Sequence, residues 1–318
     1  MQRVCRVCHN SANNKVHIFR ETFYRTLECF EYMECTACGC LSITEIPQHM
    51  GNYYPEWYYS KGNLAGTKLP RWKRLLKRQR TLYWLTRRNL LGRVLARGER
   101  APWLIEKFRQ VRIGIDDHIL DVGSGNGSLL VYMATEGFMH LTGADPFIDG
   151  DLAYPNGVVV FQRDIAELDA SLNSSFTLIM FNDSFEHLPA PRVALEHARR
   201  LLTESGTVMI RTPVADSFAW HSYGPDWHKL DAPRHFVIHT RKSLGIAAEQ
   251  AGLRLIECRD ESDETQFWKS EVCRAGVPLF QAKKDGYSAE LLAHWRAEAH
   301  RLNALGEGDR VCCYLNKA

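Results

Sequence analysis

The stretch ILDVGSGNGSLL, Ile119 to Leu130, constrains what this chain can fold into more than any other. An apolar run leads into Asp121, glycines follow at 123, 125 and 127, and an apolar helical pattern comes next. That order specifies a strand, a tight turn and a helix. Glycine lets the backbone turn and approach a ligand where a Cβ would intrude. The first turn of the helix then offers unpaired N–H groups to a polar or anionic group. A second apolar run, MHLTGADPF, reaches Asp145 and Pro146. Strands of a parallel sheet end at one crevice, and an acid there can accept hydrogen bonds from a ribose diol. Such an acid suits several nucleoside cofactors, so the turn has to discriminate. Its spacing is DxGxGxG, whereas the dinucleotide fingerprint reads GxGxxG with no acid two positions ahead.

On these residues the chain resembles the class I S-adenosylmethionine-dependent methyltransferases, whose first motif has the pattern ILDVGxGxG. The resemblance covers residues 100–275. It implies that Asp121, Gly123, Gly125 and Gly127 hold the methionine part of the donor and that Asp145, beside Pro146, takes the ribose hydroxyls. It also implies that Asp164 in FQRDIAEL contacts the adenine amino group and that Asn182 flanks the donor. From His118 onward strands are expected at 118–122, 139–144, 158–161, 176–181 and 206–211, with helices at 128–136, 190–203 and 241–251. Strands at 253–259 and 267–273 then flank the charged turn DESDET. Such alternation predicts a mostly parallel sheet covered on both faces. The expected fold is α/β, a Rossmann-like seven-stranded sheet whose last strand is antiparallel, in a catalytic domain at 113–280. A helix over 287–305 places residues 281–318 outside that sheet.

At the amino terminus CRVC and CTAC set Cys5, Cys8, Cys35 and Cys38 at the two ends of a short segment rich in aromatic and β-branched residues. Two such knuckles can gather four thiolates around one tetrahedral zinc ion, which adds the folding energy that so small a core lacks. Four sulfurs leave no open position, so the zinc is read as structural. Four buried thiols are the alternative. A redox pair is disfavoured, because neither CxxC opens a helix after a strand. Cys29 and Cys40 are spares. This zinc-ribbon module is assigned residues 1–50, and an aromatic linker with a basic helical arm residues 51–112. The linker carries Tyr53, Tyr54, Trp57, Tyr58 and Tyr59, either a packing seam or a wall facing substrate.

Between Lys61 and Arg112 sixteen Lys and Arg stand against Glu99 and Glu106, a balance of +14; the whole chain carries +3, which leaves 3 − 14 = −11 for the rest. The arm reads as helix broken near Gly92 and Gly98, with Trp72, Leu75, Leu76, Gln79, Tyr83, Leu90, Val94 and Leu95 at helical spacing. Three roles fit: packing of this stripe on the catalytic domain, peripheral contact of residues 68–112 with an anionic membrane, or a grip on phosphates of a nucleotide-linked substrate or nucleic acid. No apolar run is long enough to span a bilayer, and MQRVCRVCHN lacks a signal-peptide core. A cytoplasmic address follows, peripheral to the inner face of the membrane if the arm meets lipid. Ten cysteines, arranged partly as CxxC pairs, favour thiols and metal over a disulfide framework.

The segment FNDSFEHLPAP follows the fourth strand, where an acceptor would meet the donor. Asp183 and Glu186 are expected to contact substrate and His187 to act in the site, unless Glu186 and His187 cap the following helix or tie the loop down. After residue 213 comes a long segment with His221, His228, His235 and His239 among Trp220, Tyr223, Trp227 and Phe236; loops this long and aromatic are usually functional. Its string WHKLDAPRHFVIHT resembles a subset of bacterial methyltransferases with amino-terminal zinc ribbons, associated with surface polysaccharide or other sugar modification. That resemblance implies that Trp227, Asp231, Arg234 and His235 line the acceptor side. The expected reaction is O-methylation of a hydroxyl on a nucleotide- or lipid-linked sugar. His235, as a near-neutral imidazole, would take the proton, with His187 or His228 as runner-up. Asp231 would orient the histidine or bind the acceptor, and Arg234 would orient a carboxylate or phosphate. In the competing reading Arg234 pairs with the protein body and His235 caps a helix. Three other functions stay open: C-methylation of a keto-sugar nucleotide; a nucleic-acid methyltransferase, disfavoured by the lack of an NPPY-type tetrad; and a non-enzymatic binding module, disfavoured by the intact donor motif.

Overall fold

The structure, a computed structural model, describes residues 4–54, 70–168 and 170–318. Trp57, Tyr58 and Tyr59 of the aromatic linker lie outside the described residues. Strands β1 (Lys15–Arg20) and β2 (Cys29–Glu34) form an antiparallel hairpin, and β3 (Leu41–Ile43) adds to β2. Helices α1 (Arg71–Thr86), α2 (Leu90–Leu95) and α3 (Trp103–Gln110) make the basic arm. It is broken twice, first at residues 87–89 rather than at Gly92, and again after α2 around Gly98, as expected. Arg87 turns left-handed at φ 61°, and Asn89 caps α2 by accepting from the Gly92 N–H at 2.7 Å. Gly92 lies inside α2, where a Cβ would stand 2.0 Å from the Gln79 carbonyl oxygen, so α2 lies tight against α1.

The arm's apolar stripe is divided between inward packing, with Tyr83 against the cluster of Trp84 and Phe108, and outward-facing side chains. Trp72, Leu75, Leu90 and Val94 are exposed, while α1 buries Thr81 and Trp84. Lys77 and Arg80 anchor it on the buried carboxylate of Glu136 at 2.6 and 2.8 Å. Two cations reaching one buried acid fix the helix where apolar spacing alone predicted a greasy contact.

The larger sheet begins with β4 (His118–Val122), α4 (Ser128–Thr135), β5 (His140–Ala144), the edge pair β6 (Leu152–Ala153) and β7 (Val159–Phe161), and β8 (Phe176–Asn182). The chain continues with α5 (Pro191–Leu201), β9 (Leu202–Pro213), α6 (Phe218–Tyr223), β10 (Val237–Ile238), α7 (Arg241–Gln250), β11 (Leu253–Asp260), α8 (Thr265–Arg274), α9 (Ala289–Leu305) and β12 (Arg310–Lys317). The strand order is β11-β12-β9-β8-β4-β5-β7-β6. From β9 to β7 every neighbour is parallel, and β12 runs antiparallel between β9 and β11.

The antiparallel strand is therefore β12, not residues 267–273. That segment is helical in α8, burying Gln266, Phe267, Trp268, Ser270 and Cys273; its bulky aromatics had mimicked strand composition. Residues 281–318 contain α9 as expected, but also this inserted strand. The Cys258–Cys313 disulfide joins β11 to β12, and the other eight cysteines are free.

Strand β10 leaves the larger sheet's neighbourhood and pairs with β3, completing a four-stranded sheet with the ribbon. Phe19, Tyr32, Leu41 and Ile43 accordingly share one buried cluster with Leu195, Trp227 and Val237. A second cluster, on α3 and α4, packs Phe108, Leu130 and Met133 with Ile119 and Leu178 of the sheet.

Candidate active site

The chain runs outward from β4 through β5 to β7 and then returns to β8 on the other side of β4. At such a switch point the carboxyl ends of the strands border a ligand crevice. The turn after β4 lines it. Gly123 has φ 74°, and a Cβ there would come 2.5 Å from Ser184 Cβ; Gly127 has φ 79°, and a Cβ there would come 2.7 Å from Val160 Cγ2. Both positions thus need glycine for conformation and for space. The Ser184 hydroxyl donates to the Val122 carbonyl at 2.6 Å, tying the exit of β8 to that of β4.

Asp145, the first residue after β5, accepts from the Gly125 N–H through Oδ2 and from the Phe147 N–H through Oδ1, both at 2.8 Å. It therefore fixes the glycine turn, and each oxygen keeps a further lone pair for a ribose hydroxyl. Asp121 is buried nearby. Burial pushes its carboxyl up to about 8, with the charge of Asp145 adding to the push. Asp164 caps the short turn at residues 165–167, accepting from the Ala166 N–H at 2.9 Å. Pro146 is exposed at the rim beside Phe147, whose ring stacks on Tyr54 with centroids 6.4 Å apart. Asn182 ends β8 and accepts from Arg211 at 3.5 Å.

Several of the residues expected on the acceptor side gather just beyond β8. Glu186 is buried and accepts through Oε2 from the Thr212 hydroxyl at 2.9 Å; burial pushes its carboxyl up, against the nearby charge of His187. His187 Nδ1 lies 2.8 Å from the Arg234 carbonyl and donates to it, which leaves the lone pair on Nε2. The Tyr54 hydroxyl lies 3.3 Å from the same nitrogen. His235 repeats the arrangement, donating from Nδ1 to the Lys229 carbonyl at 2.8 Å. The two imidazoles meet edge to face with centroids 4.8 Å apart.

The expectation of a near-neutral base at His235 does not hold. Burial, with His187 beside it, pushes that imidazole down to about 3, although Asp231 pulls the other way. Asp183 sits at φ 51° and pairs with Arg211. Burial pushes its carboxyl up, but Lys229 and Arg211 overcome that and hold it below the usual range. Lys229, Arg211, Ser184, Thr212 and Phe147 belong to this neighbourhood and were not identified from sequence. Of these only Phe147, an aromatic directly after the Asp–Pro at a strand end, carried a readable signal.

The family described as "Methyltransferase domain" matches residues 75–258, more than half of the chain. The chain belongs to that family. It is an S-adenosylmethionine-dependent methyltransferase. No curated protein matches it in sequence. Among solved structures it is similar to the Burkholderia thailandensis 1,6-didemethyltoxoflavin-N1-methyltransferase, with 15% identity over 81% of this chain and 92% of that one, at a TM-score of 0.41. A putative sarcosine dimethylglycine methyltransferase from Galdieria sulphuraria shares 14% identity over 72% and 87% of the two chains, TM-score 0.43. A geranyl diphosphate methyltransferase shares 12% over 71% and 90%, TM-score 0.44.

Three residues expected on the acceptor face of this methyltransferase are turned inward. Arg234 has no exposed surface. It grips Asp231 through two bonds of 3.0 and 2.6 Å, reaches Glu21 of the ribbon at 2.9 Å, and lies over the rings of Phe23 and Tyr24. A guanidinium so committed cannot present its fork to a substrate. Trp227 is buried, donating from Nε1 to Asp309 at 3.1 Å. His228 is buried against the Ser270 hydroxyl at 3.3 Å, and burial pushes its imidazole well down. Asp231 stays next to the site, with Oδ2 3.8 Å from His235 Nε2.

In the ribbon the sulfurs of Cys5, Cys8, Cys35 and Cys38 lie within 4.8 Å of one another. The two knuckles fold alike. The Cys5 and Cys35 N–H groups donate to the carbonyls of Asn10 and Cys40, and the His9 and Gly39 N–H groups return to the carbonyls of Cys5 and Cys35. Backbone N–H groups also point at the first sulfur of each: Cys8 at Cys5 and Cys38 at Cys35, both at 3.5 Å. Sulfurs so surrounded by donors are prepared to be thiolates, and four of them fit a tetrahedral zinc ion. Cys40, read as a spare, also packs here, its sulfur 3.5 Å from those of Cys5 and Cys38.

Proposed function

We propose that this methyltransferase moves the donor methyl to a hydroxyl oxygen of a sugar, nucleotide- or lipid-linked, in surface-glycan biosynthesis. The observation that carries the reading is the pair of imidazoles at the β8 exit, each with Nδ1 donating to a carbonyl, so that Nε2 is the nitrogen able to accept a proton. An attacking hydroxyl must lose a proton as it takes the methyl, and a lone-pair nitrogen held beside the donor can accept it. His187, half-buried, takes the base role on this reading, with His235 packed against its ring, Asp183 partly exposed to meet sugar hydroxyls, and Glu186 buried behind them on Thr212. Asp145 binds the donor ribose, Asp121, Asp164 and Asn182 complete the donor side, and a zinc ion on Cys5, Cys8, Cys35 and Cys38 holds the ribbon together.

The test is transfer of labelled methyl from S-adenosylmethionine into separated nucleotide-sugar, lipid-linked, polysaccharide and RNA pools, followed by NMR of the product. Label on a sugar oxygen, lowered about 10²-fold or more in His187→Ala with donor affinity intact, supports the assignment. Label on a sugar carbon or in RNA sinks it.

The exposed side chains of the arm favour a membrane-borne acceptor. Trp72, Leu75, Leu90, Leu91 and Val94 are all more than half exposed, on an arm that also carries Lys73, Arg74 and Arg93 on its helices and Arg87 and Arg88 between them. Each basic residue close to an anionic leaflet contributes about 1 kcal/mol of attraction, and apolar side chains between them can enter the interface. Cosedimentation with phosphatidylserine vesicles should fall steeply in Trp72→Ala/Leu75→Ser, whereas equal binding by the variant would remove the arm from this role.

A further inference from the structure

We infer that Glu186, His187 and His235 form a seat for one divalent ion of the zinc class, distinct from the cysteine cluster, and that an ion in this seat blocks methyl transfer. The ligand atoms of the three residues lie within 4.8 Å of one another. Zinc–nitrogen and zinc–oxygen bonds of about 2.1 Å place tetrahedral ligand atoms about 3.4 Å apart. Glu186 Oε1 and His235 Nε2, now 3.9 Å apart, need only a small rotamer adjustment to reach that.

The surroundings of the three side chains are those of ligands already held in place. Both histidines donate from Nδ1 to main-chain carbonyls, of Arg234 and Lys229, at 2.8 Å. That fixes the tautomer with the lone pair on Nε2, the way metal-bound imidazoles are usually held from behind. Glu186 is steadied the same way, with Oε2 accepting from Thr212 and Oε1 left toward His235.

The electrostatics point in the same direction. The nearest charged oxygens to the His235 Nε2 lone pair are two carboxylate atoms, Asp231 Oδ2 at 3.8 Å and Glu186 Oε1 at 3.9 Å. A lone pair facing carboxylates is a repulsive arrangement that a cation resolves. The Arg234 charge is directed to Asp231 and Glu21; the charges of Lys229 and Arg211 reach Glu186 from farther off, but neither makes an ion pair with it among the described residues. Two imidazoles and one carboxylate suit borderline ions such as Zn²⁺ and Co²⁺, and do not suit Mg²⁺ or Ca²⁺, which take oxygen ligands.

The predicted inhibition rests on the imidazole-base reading above; ion binding itself does not. An ion that takes both Nε2 lone pairs leaves neither free for the acceptor's proton, so the seat and the base are alternative states of one cluster.

The experiment is titration of the full chain with Co²⁺, followed by absorption spectroscopy and methyl-transfer assay. A cobalt ion on the cysteines gives sulfur-to-metal charge transfer, and this band also reports that the ribbon is folded. A second equivalent should then bind with d–d bands and no further charge transfer. His187→Gln and Glu186→Gln should each weaken that equivalent at least about tenfold, and Thr212→Val, which removes only the bond behind Glu186, should weaken it about tenfold. Transfer should fall in step with the second equivalent and recover on adding a chelator. Absence of a second equivalent, or one that ignores all three substitutions, overturns the seat while leaving the base reading to His187→Ala. Binding that speeds transfer overturns the block, and with it the imidazole base, while the seat stands.

Discussion

Arg234→Met tests whether the arginine of the PRH segment faces substrate or holds two parts of the protein together. Methionine keeps the unbranched stem and removes the charge. Arg234 bonds Asp231 at 3.0 and 2.6 Å and Glu21 at 2.9 Å, and both Arg234 and Glu21 have no exposed surface. Removing the guanidinium leaves Glu21 buried opposite an apolar side chain, and breaking a buried pair from one side costs about 3–5 kcal/mol. Glu21 still accepts from the N–H groups of Tyr24 and Thr26 at 3.0 and 3.1 Å, which places the loss toward the lower end of that range. Glu21→Gln should cost less, about 1–3 kcal/mol, because Arg234 keeps Asp231. The double variant should fall short of the sum by more than about 1 kcal/mol, since the two residues form one interaction. Urea unfolding followed by tryptophan fluorescence measures all three, and limited proteolysis reports whether the ribbon detaches first. An unchanged unfolding midpoint with a raised acceptor KM would refute the reasoning and return Arg234 to the substrate.

Two further outcomes follow from the same geometry. Asp121 holds its proton more tightly folded than unfolded, up to about 8 against an ordinary 3.8. Its contribution to stability is therefore complete below pH 4 and lost as pH rises through 8, a swing on the order of 5 kcal/mol. Asp121→Asn should gain stability relative to the parent over that window in thermal melts, and its donor affinity should lack the parent's rise as the carboxylate ionises beside a cationic donor; parallel pH profiles for the two proteins would exclude the shift. Removing metal from the cysteine cluster, by chelation or by Cys8→Ser, should speed amide hydrogen exchange at residues 235–240 as well as in the ribbon, because Tyr32 donates to the His235 carbonyl at 2.8 Å and Thr240 to the Cys38 carbonyl at 2.6 Å. Exchange confined to residues 4–43 would show the two regions to be uncoupled.

The donor half was legible because its constraints are local. A glycine turn between a strand and a helix needs particular residues at fixed spacing, and Asp145 follows β5 as the apolar run implied. The acceptor half depends on contacts across long stretches of sequence. Nothing in WHKLDAPRHFVIHT marks Arg234 as bound for Glu21, which lies 213 residues away. The histidine and arginine in PRH carry the same polar signal whether they face water or the interior, and only the fold separates them. The last strand was missed for a related reason. An aromatic, sulfur-bearing helix resembles a strand in composition, and the true partner of β11 lies beyond α9, after Gly306 and Gly308. The apolar run Val311 to Leu315 behind those glycines was the available cue.

The amino-terminal ribbon is built into the acceptor side of the enzyme. Its sheet is finished by β10, which directly follows His235 and Phe236, and the Ile43 N–H donates to the Phe236 carbonyl at 2.9 Å. The Phe236 N–H in turn donates to the Glu186 carbonyl at 2.8 Å, and the Arg234 carbonyl holds His187. One short run, residues 234–238, thus carries His235 and holds His187 from the Arg234 carbonyl, while the ribbon's third strand holds that run from outside. Imidazole placement within a few tenths of an ångström is what proton transfer requires, and backbone bonds to a packed sheet fix position more firmly than a free surface loop can. The ribbon, whose Cys5, Cys8, Cys35 and Cys38 could hold one metal ion, therefore fixes main-chain positions that it does not itself contain.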